Sequence, residues 1–260
     1  MWRSITNYMT LPAELTWLLP VVAAPFVGSF VGLVAHRLPR AEPIVFGRSA
    51  CPSCHTQLTA RDLVPLLSWL AARGRCRHCD APLSTRYPLT ELAALVIAVW
   101  AVSVLSGWSI LIGCLLGWAL LTLALIDLRE KMLPDTITLP LIALGLAAAL
   151  VLEPLILLDH AIGAAAALTL FLAVGATFRQ LRGYDGLGGG DAKLFAAAGT
   201  WVGWQGLASV LLLATISALC VVLAMRVAGR RNLGREEIAF GPYLCLGFWV
   251  VWLYGPLTFG

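Results

Sequence analysis

The sequence predicts an all-α polytopic membrane protein of about eight transmembrane helices, with one small cytosolic loop domain between helices 1 and 2. Of its 260 residues, 60% are hydrophobic and only 12% are charged, whereas about 25% of the residues in a soluble domain are charged. The mean hydropathy of +0.86 points the same way. This composition excludes a soluble globular domain, so we expect membrane lipids and no nucleic acid among its partners.

Apolar runs long enough to cross about 30 Å of hydrocarbon occur seven times, and a shorter run is an eighth candidate. The long runs cover residues 17–35, 89–105, 109–126, 136–152, 160–178, 206–227 and 238–254, and the short run covers residues 192–204. Residues 1–16 lack the basic start of a signal peptide, so we expect the first run to be retained as a helix.

The positions of the basic residues favour eight crossings over seven. With eight crossings and the N-terminus outside, every Lys and Arg except Arg3 lies on the inner side, as the positive-inside rule requires. Without the short run, four arginines would lie outside: Arg226, Arg230, Arg231 and Arg235. We therefore predict that both termini are periplasmic.

The polar segment 37–88 contains two C-x2-C pairs, Cys51/Cys54 and Cys76/Cys79. Such pairs are typical of a four-cysteine zinc site, because each short turn directs two thiolates at one metal ion. Disulfides are rare on the cytosolic side, and free or redox-active thiols are the alternative. The segment has too few apolar residues for a large core, so we expect the Zn²⁺ to be structural rather than catalytic.

Two aspartates are predicted to share the inner membrane face. Asp127 ends the third helix in an apolar context, and Asp191 follows the glycine-rich turn 186–190 at the start of the short helix. Ionisable residues at membrane depth are usually functional. Two carboxylates at one site can activate a water molecule and protonate a leaving nitrogen, which is sufficient for peptide hydrolysis. The alternative is a flexible turn in which Asp191 caps the next helix.

Two details of this pair follow from simple physical arguments. Asp127 lies at a helix C-terminus and Asp191 near a helix N-terminus, so the helix dipoles favour Asp191 as the resting base and Asp127 as the resting acid. The glycines, which lack a Cβ atom, would let an extended substrate strand lie beside the turn.

The chain resembles the bacterial type IV prepilin peptidases, which are membrane aspartic proteases with a GxGD signature. Gly188-Gly189-Gly190-Asp191 fits that signature. Other matching motifs follow in family order at residues 28–30, 37–39, 51–54, 65–69, 74–79, 86–91, 133–135 and 240–242. The positions that match the catalytic aspartates of the family are Asp127 and Asp191, with Gly188 and Gly190 in the active-site loop.

The resemblance implies an activity and a location. Family members cut the basic leader from type IV prepilins or type II secretion pseudopilins at the cytosolic face of the bacterial inner membrane. Many, especially those with the cysteine loop, also methylate the new N-terminus with S-adenosylmethionine. We therefore expect a periplasmic N-terminus and first helix at 1–36, a cytosolic zinc-binding domain at 37–88 and a membrane-embedded protease domain at 89–260.

The residues that bind the methyl donor are not indicated, because no G-x-G-x-x-G follows a strand. If methylation occurs, its site is expected between the zinc loop and the inner membrane face. Three other charged residues have open roles. Glu91 is a helix-start carboxylate or a contact for substrate or methyl donor, Asp135 is a helix cap or a substrate contact, and Lys193 reaches lipid headgroups or tunes the aspartates.

Two other classes of function are the alternatives. A proton-coupled carrier also has paired intramembrane carboxylates, but the sequence has no evident internal repeat and both aspartates lie at one surface. A non-catalytic membrane scaffold could use the zinc loop to recruit a cytosolic partner. The particular pilin and the oligomeric state are not indicated by the sequence.

Overall fold

The structure is a computed structural model that describes residues 13–46, 49–152, 154–183, 188–229 and 239–257. Several residues on which the predictions above depend lie outside these ranges: Arg3, Gly186, Arg230, Arg231 and Arg235. The described residues form helices and turns, with two isolated β-bridges in the cysteine loop. The predicted all-α class is therefore confirmed.

The helices follow the apolar runs closely. They are α1 (Ala13–Arg37), α2 (Leu67–Ala71), α3 (Arg86–Val104), α4 (Trp108–Glu130), α5 (Asp135–Leu152), α6 (Leu157–Arg182), α7 (Gly189–Val227) and α8 (Gly241–Tyr254). Within the described part of the chain, five of them (α1, α3, α4, α6 and α7) are long and apolar enough to cross a membrane, and α5 and α8 are apolar but shorter. The count of eight crossings stays a prediction.

The 39-residue helix α7 is broken at Gly203, where φ is 68° and ψ is 176°. The second part of α7 runs antiparallel to α8, since Gly206 faces Val251 and Val210 faces Gly247. The chain therefore folds back near the boundary predicted between runs 192–204 and 206–227. The first part, of about 14 residues, is about 21 Å long, which is less than the thickness of the hydrocarbon core.

The chain divides into two compact units, residues 1–122 and residues 123–260. In the first unit α1 packs on α3, and a Cβ atom on Gly28 would lie 2.5 Å from Glu91 Cα. The glycine therefore permits the close helix packing that small residues give in membranes. Between these two helices, residues 38–85 form the cysteine loop and α2.

The second unit is a helical bundle that contains the end of α4 together with α5, α6, α7 and α8. Gly163 of α6 and Gly199 of α7 are in backbone contact, since a Cβ atom on Gly199 would lie 2.4 Å from Gly163 C. The His160 Nδ1 atom is 2.7 Å from the Thr200 carbonyl oxygen, which lies just before the break at Gly203. This ring therefore contacts a carbonyl at the end of a helical segment, where the regular pattern of backbone hydrogen bonds is interrupted.

Candidate active site and metal centre

Asp127 lies in the last turn of α4 and is buried, with 6% of its surface exposed. Its Oδ2 atom accepts a hydrogen bond of 3.0 Å from the backbone N–H of Gly241, the first residue of α8. A Cβ atom on Gly241 would lie 2.6 Å from the same oxygen. Only glycine therefore lets α8 begin this close to the carboxylate.

Asp191 is the third residue of α7 and is partly exposed. Its carboxyl group lies close enough to that of Asp127 for the two charges to interact. The thiol of Cys245, one turn into α8, is near both. The structure thus brings together the two predicted aspartates, from helix ends that are far apart in the sequence.

The hydrogen bond from Gly241 bears on which aspartate is the resting acid and which is the resting base. From the sequence, the C-terminal end of α4 was expected to keep Asp127 protonated, and the N-terminal end of α7 to keep Asp191 ionised. Asp127 also faces the N-terminal end of a helix, because the first N–H group of α8 points at its Oδ2 atom. Each carboxyl group is therefore next to a helix N-terminus, and helix dipoles no longer assign the two roles.

The glycines next to Asp191 differ in their surroundings. A Cβ atom on Gly190 would lie 2.9 Å from Leu133 Cβ, so the loop between α4 and α5 occupies the space beside this glycine. A Cβ atom on Gly188 would lie 3.4 Å from Asp191 Oδ2, and one on Gly189 would have no described neighbour within 4 Å. At Gly190, therefore, close packing against Leu133 explains the glycine.

An ion pair joins α5 to α7 beside the aspartates. Lys193 Nζ lies 2.6 Å from Asp135 Oδ1 and 2.8 Å from Asp135 Oδ2. Asp135 is the first residue of α5, and Lys193 is in the second turn of α7. Lys193, for which the sequence left contact with lipid headgroups or an effect on the aspartates open, is therefore paired with the carboxylate of Asp135.

The four cysteines of the C-x2-C pairs form one cluster, in which all Sγ atoms lie within 4.8 Å of one another. The Sγ–Sγ distance is 3.9 Å between Cys51 and Cys79 and 4.0 Å between Cys54 and Cys76. A tetrahedral zinc ion with Zn–S bonds of about 2.3 Å has sulfur atoms about 3.8 Å apart. The cluster therefore fits a zinc ion, and neither His55 nor His78 belongs to it.

The two pairs of cysteines have the same local backbone structure. In the first pair, the backbone N–H of Cys51 donates to the carbonyl oxygen of Thr56, and the carbonyl oxygen of Cys51 accepts from the N–H of His55. In the second pair, Cys76 makes the same two bonds with Ala81 and Asp80. His55 and Asp80 have φ angles of 56° and 57°, a left-handed conformation that His and Asp adopt more readily than most residues. This repeated turn directs both sulfur atoms of a pair to one side.

Hydrogen bonds to two of the four cysteines, Cys54 and Cys76, favour their thiolate forms, and the thiolate is the form that binds metal. The hydroxyl group of Thr56, 3.3 Å from Cys54 Sγ, lowers the pKa of Cys54 to about 6. The backbone N–H of His78 donates to Cys76 Sγ at 3.5 Å and lowers the pKa of Cys76. Burial and the three neighbouring thiols raise the pKa of Cys79 to about 12, so two of the four cysteines are prepared to bind a cation as thiolates.

Glu91 differs from the expectation of a helix-start carboxylate. It is the sixth residue of α3, beyond the first turn, and only 6% of its surface is exposed. Its Oε2 atom accepts a hydrogen bond of 2.7 Å from the backbone N–H of Leu66, whose φ of 59° is unusual for a leucine. Glu91 therefore holds the cysteine loop on α3 within the first unit.

Comparison with known proteins agrees with the resemblance seen in the sequence. Residues 22–105 match the Bacterial Peptidase A24 N-terminal domain, and residues 114–223 match the Type IV leader peptidase family. No solved structure matches.

Similar curated proteins are named prepilin leader peptidase/N-methyltransferase. One from Aeromonas hydrophila is 38% identical and covers 95% of this chain and 94% of its own. One from Burkholderia pseudomallei is 35% identical, with 94% and 87% covered, and one from Klebsiella pneumoniae is 43% identical, with 74% and 87% covered. The predicted enzyme class agrees with these names. The chain belongs to the type IV leader peptidase family.

Proposed function

We propose that the protein cuts the leader peptide from type IV prepilins or type II secretion pseudopilins, with Asp127 and Asp191 as the catalytic pair. The observation that carries this proposal is that the two carboxyl groups, one at the end of α4 and one at the start of α7, lie close enough for their charges to interact. The relatives that share most of the chain are named as prepilin leader peptidases.

The chemistry needs one carboxylate and one carboxylic acid. The carboxylate removes a proton from a water molecule, which attacks the scissile carbonyl, and the acid protonates the leaving nitrogen. The N–H of Gly241 holds Oδ2 of Asp127 and so fixes the orientation of that carboxyl group. The ion pair of Lys193 with Asp135 keeps the start of α7, and with it Asp191, against α5.

We propose that the site and the zinc loop both lie on the cytosolic side of the bacterial inner membrane and that both termini are periplasmic. The charge distribution of the sequence supports this orientation. We propose that the four cysteines bind one structural Zn²⁺ ion that stabilises the loop. The names of the relatives support a second reaction, methylation of the new N-terminal residue with S-adenosylmethionine as donor.

The proposal is tested by incubating the purified protein with a prepilin and detecting the loss of its leader. We expect cleavage by the wild type and by Asp159→Asn, a matched change of an acidic residue at the other end of the second unit, in the first turn of α6. Asp127→Asn and Asp191→Asn are expected to leave the substrate intact. A carrier or a scaffold would leave the substrate intact in every case, and cleavage by either active-site variant at the wild-type rate would contradict the proposal.

A further inference from the structure

The first unit contains a cavity of about 390 Å³ that the aspartate pair does not use. Its walls are the inner end of α1, the start of α3, helix α2 and the cysteine loop, and its lining includes Ser29, Trp69, Ala72, Tyr87 and Glu91. Pockets of about 300 to 1,000 Å³ are typical of small-molecule sites. Cys51 and Cys76 also line it, so the metal cluster supports one wall.

Glu91 gives the cavity a buried acidic group. Its partners among the described residues are uncharged, namely the backbone N–H of Leu66 and the hydroxyl group of Ser29. A buried carboxylate is costly unless a cation or several hydrogen bonds compensate for its lost hydration. A ligand with a positive charge would supply the missing partner.

Trp69 gives the cavity an aromatic surface. The indole ring is held by Gly74, since a Cβ atom there would lie 2.9 Å from Trp69 Cζ2. A ligand with a flat aromatic ring would therefore find a contact surface on this side of the cavity.

We propose that this cavity binds the methyl donor, S-adenosylmethionine, with Glu91 facing its cationic part and Trp69 contacting its purine. This inference rests on the proposed methylation and assigns it a site. The donor combines a positive sulfonium group, which would give Glu91 a cationic partner, with an aromatic base, which would lie on the indole ring of Trp69.

The transfer balances with no further reactant. The lone pair of the uncharged N-terminal amine forms a bond to the methyl carbon while the carbon–sulfur bond breaks, and the electrons of that bond stay on sulfur. The positive charge moves from sulfur to nitrogen, and the resulting ammonium group then loses a proton to water. A carboxylate beside the sulfonium group stabilises the bound donor more than the neutral thioether product, which favours release of the product after transfer.

Calorimetric titration of the zinc-loaded full-length protein with S-adenosylhomocysteine and S-adenosylmethionine tests the assignment. Ala71, the last residue of α2, and Ala72, which follows it, provide a matched pair, because Ala72 lines the cavity and Ala71 does not. We expect Ala72→Trp to raise Kd by about tenfold or more and Ala71→Trp to change it by less than about twofold. Glu91→Gln is expected to weaken the sulfonium donor more than the thioether product, and Trp69→Phe to weaken both.

Leader cleavage and zinc content are measured on the same samples. Asp127→Asn is expected to bind the donor like the wild type although it cannot cleave, so a failure of this assignment is distinct from a failure of the peptidase. Absence of donor binding in a wild-type protein that cleaves prepilin overturns the inference. Unchanged donor binding in both Ala72→Trp and Glu91→Gln also overturns it. An Ala72→Trp variant that binds the donor normally but has a raised KM for prepilin would overturn it too, because the cavity would then hold the leader peptide.

Discussion

The backbone N–H of Gly241 donates a hydrogen bond of 3.0 Å to Asp127 Oδ2, across a sequence separation of 114 residues. The contact joins the end of α4 to the start of α8. It requires a residue without a side chain, because a Cβ atom would lie 2.6 Å from the same oxygen. The orientation of one proposed catalytic carboxyl group thus depends on a glycine with no chemistry of its own.

Gly241→Ala is expected to lower kcat for leader cleavage by about 10²-fold, since displacements near 1 Å have that effect on catalytic groups. KM for prepilin should change much less, because the substitution moves a carboxyl group rather than a binding surface. Steady-state kinetics together with a thermal unfolding curve separate this effect from a folding defect. A variant with normal kcat would remove the positioning role from Gly241.

Gly190→Ala is expected to reduce cleavage strongly, whereas Gly189→Ala should be close to the wild type. The two residues are neighbours in α7, but only Gly190 is packed against Leu133, while no atom of the described residues lies within 4 Å of a Cβ atom on Gly189. Overpacking of a close contact typically costs about 1–3 kcal/mol. Initial rates of the two variants, compared at equal protein content, test this difference. Equal losses in both would indicate that the glycines act through backbone freedom alone.

The pair Lys193–Asp135 is expected to matter for position more than for stability. Its side chains are 39% and 52% exposed, and exposed pairs contribute about 0–1 kcal/mol. Lys193→Asp and Asp135→Lys alone should each slow cleavage, and the double exchange should recover part of the rate by restoring the pair. A double exchange no faster than the worse single variant would contradict this role.

Zinc content provides a prediction for the cysteine loop. One zinc ion per chain is expected by elemental analysis, with weaker zinc binding in Cys51→Ser and Cys76→Ser, since each loses one of the four thiolate ligands. Cys220→Ser is the matched control, because Cys220 lies in α7 outside the cluster. Titration with a zinc chelator measures the affinity, and an unchanged affinity in both Cys51→Ser and Cys76→Ser would contradict the four-cysteine site.

The pH dependence of the metal-free loop follows from Thr56. Its hydroxyl group holds the pKa of Cys54 at about 6, below the ordinary value of 9.0. Cys54 should therefore remain a thiolate until the pH falls through about 6, and its alkylation rate should have that midpoint. Thr56→Val is expected to move the midpoint upward. Peptide mass spectrometry after timed alkylation measures it, and an unchanged midpoint would contradict the assigned cause.

The sequence was sufficient to predict the helical class, the cysteine cluster and the proximity of Asp127 and Asp191, whose catalytic role stays a prediction. A carboxylate in an apolar run and a C-x2-C pair are visible without knowledge of the fold. The residues that pack against these sites could not be predicted from local sequence signals. Gly241 and Leu133 act through contacts with distant residues, and a glycine in a motif does not reveal which atom occupies the space beside it.

Helix dipoles illustrate the same limit. The end of α4 was visible in the sequence, but the start of α8 at Asp127 was not, because it depends on how the bundle packs. The sequence predicted Glu91 at the start of its helix, but α3 begins at Arg86 rather than near Leu89, so Glu91 lies about one turn further into the helix. For Asp127 and Glu91, therefore, the role depends on where the helices begin and on which residues pack beside them, and the residue type alone does not indicate either.

The most direct test of the central claim is the rate of leader cleavage by Asp127→Asn, Asp191→Asn and the double variant. If the two carboxyl groups act as one unit, each single variant should lose about 10³-fold or more, and the double variant should lose no more than the worse single variant. A single variant with nearly normal kcat, or losses that multiply in the double variant, would contradict a shared catalytic site.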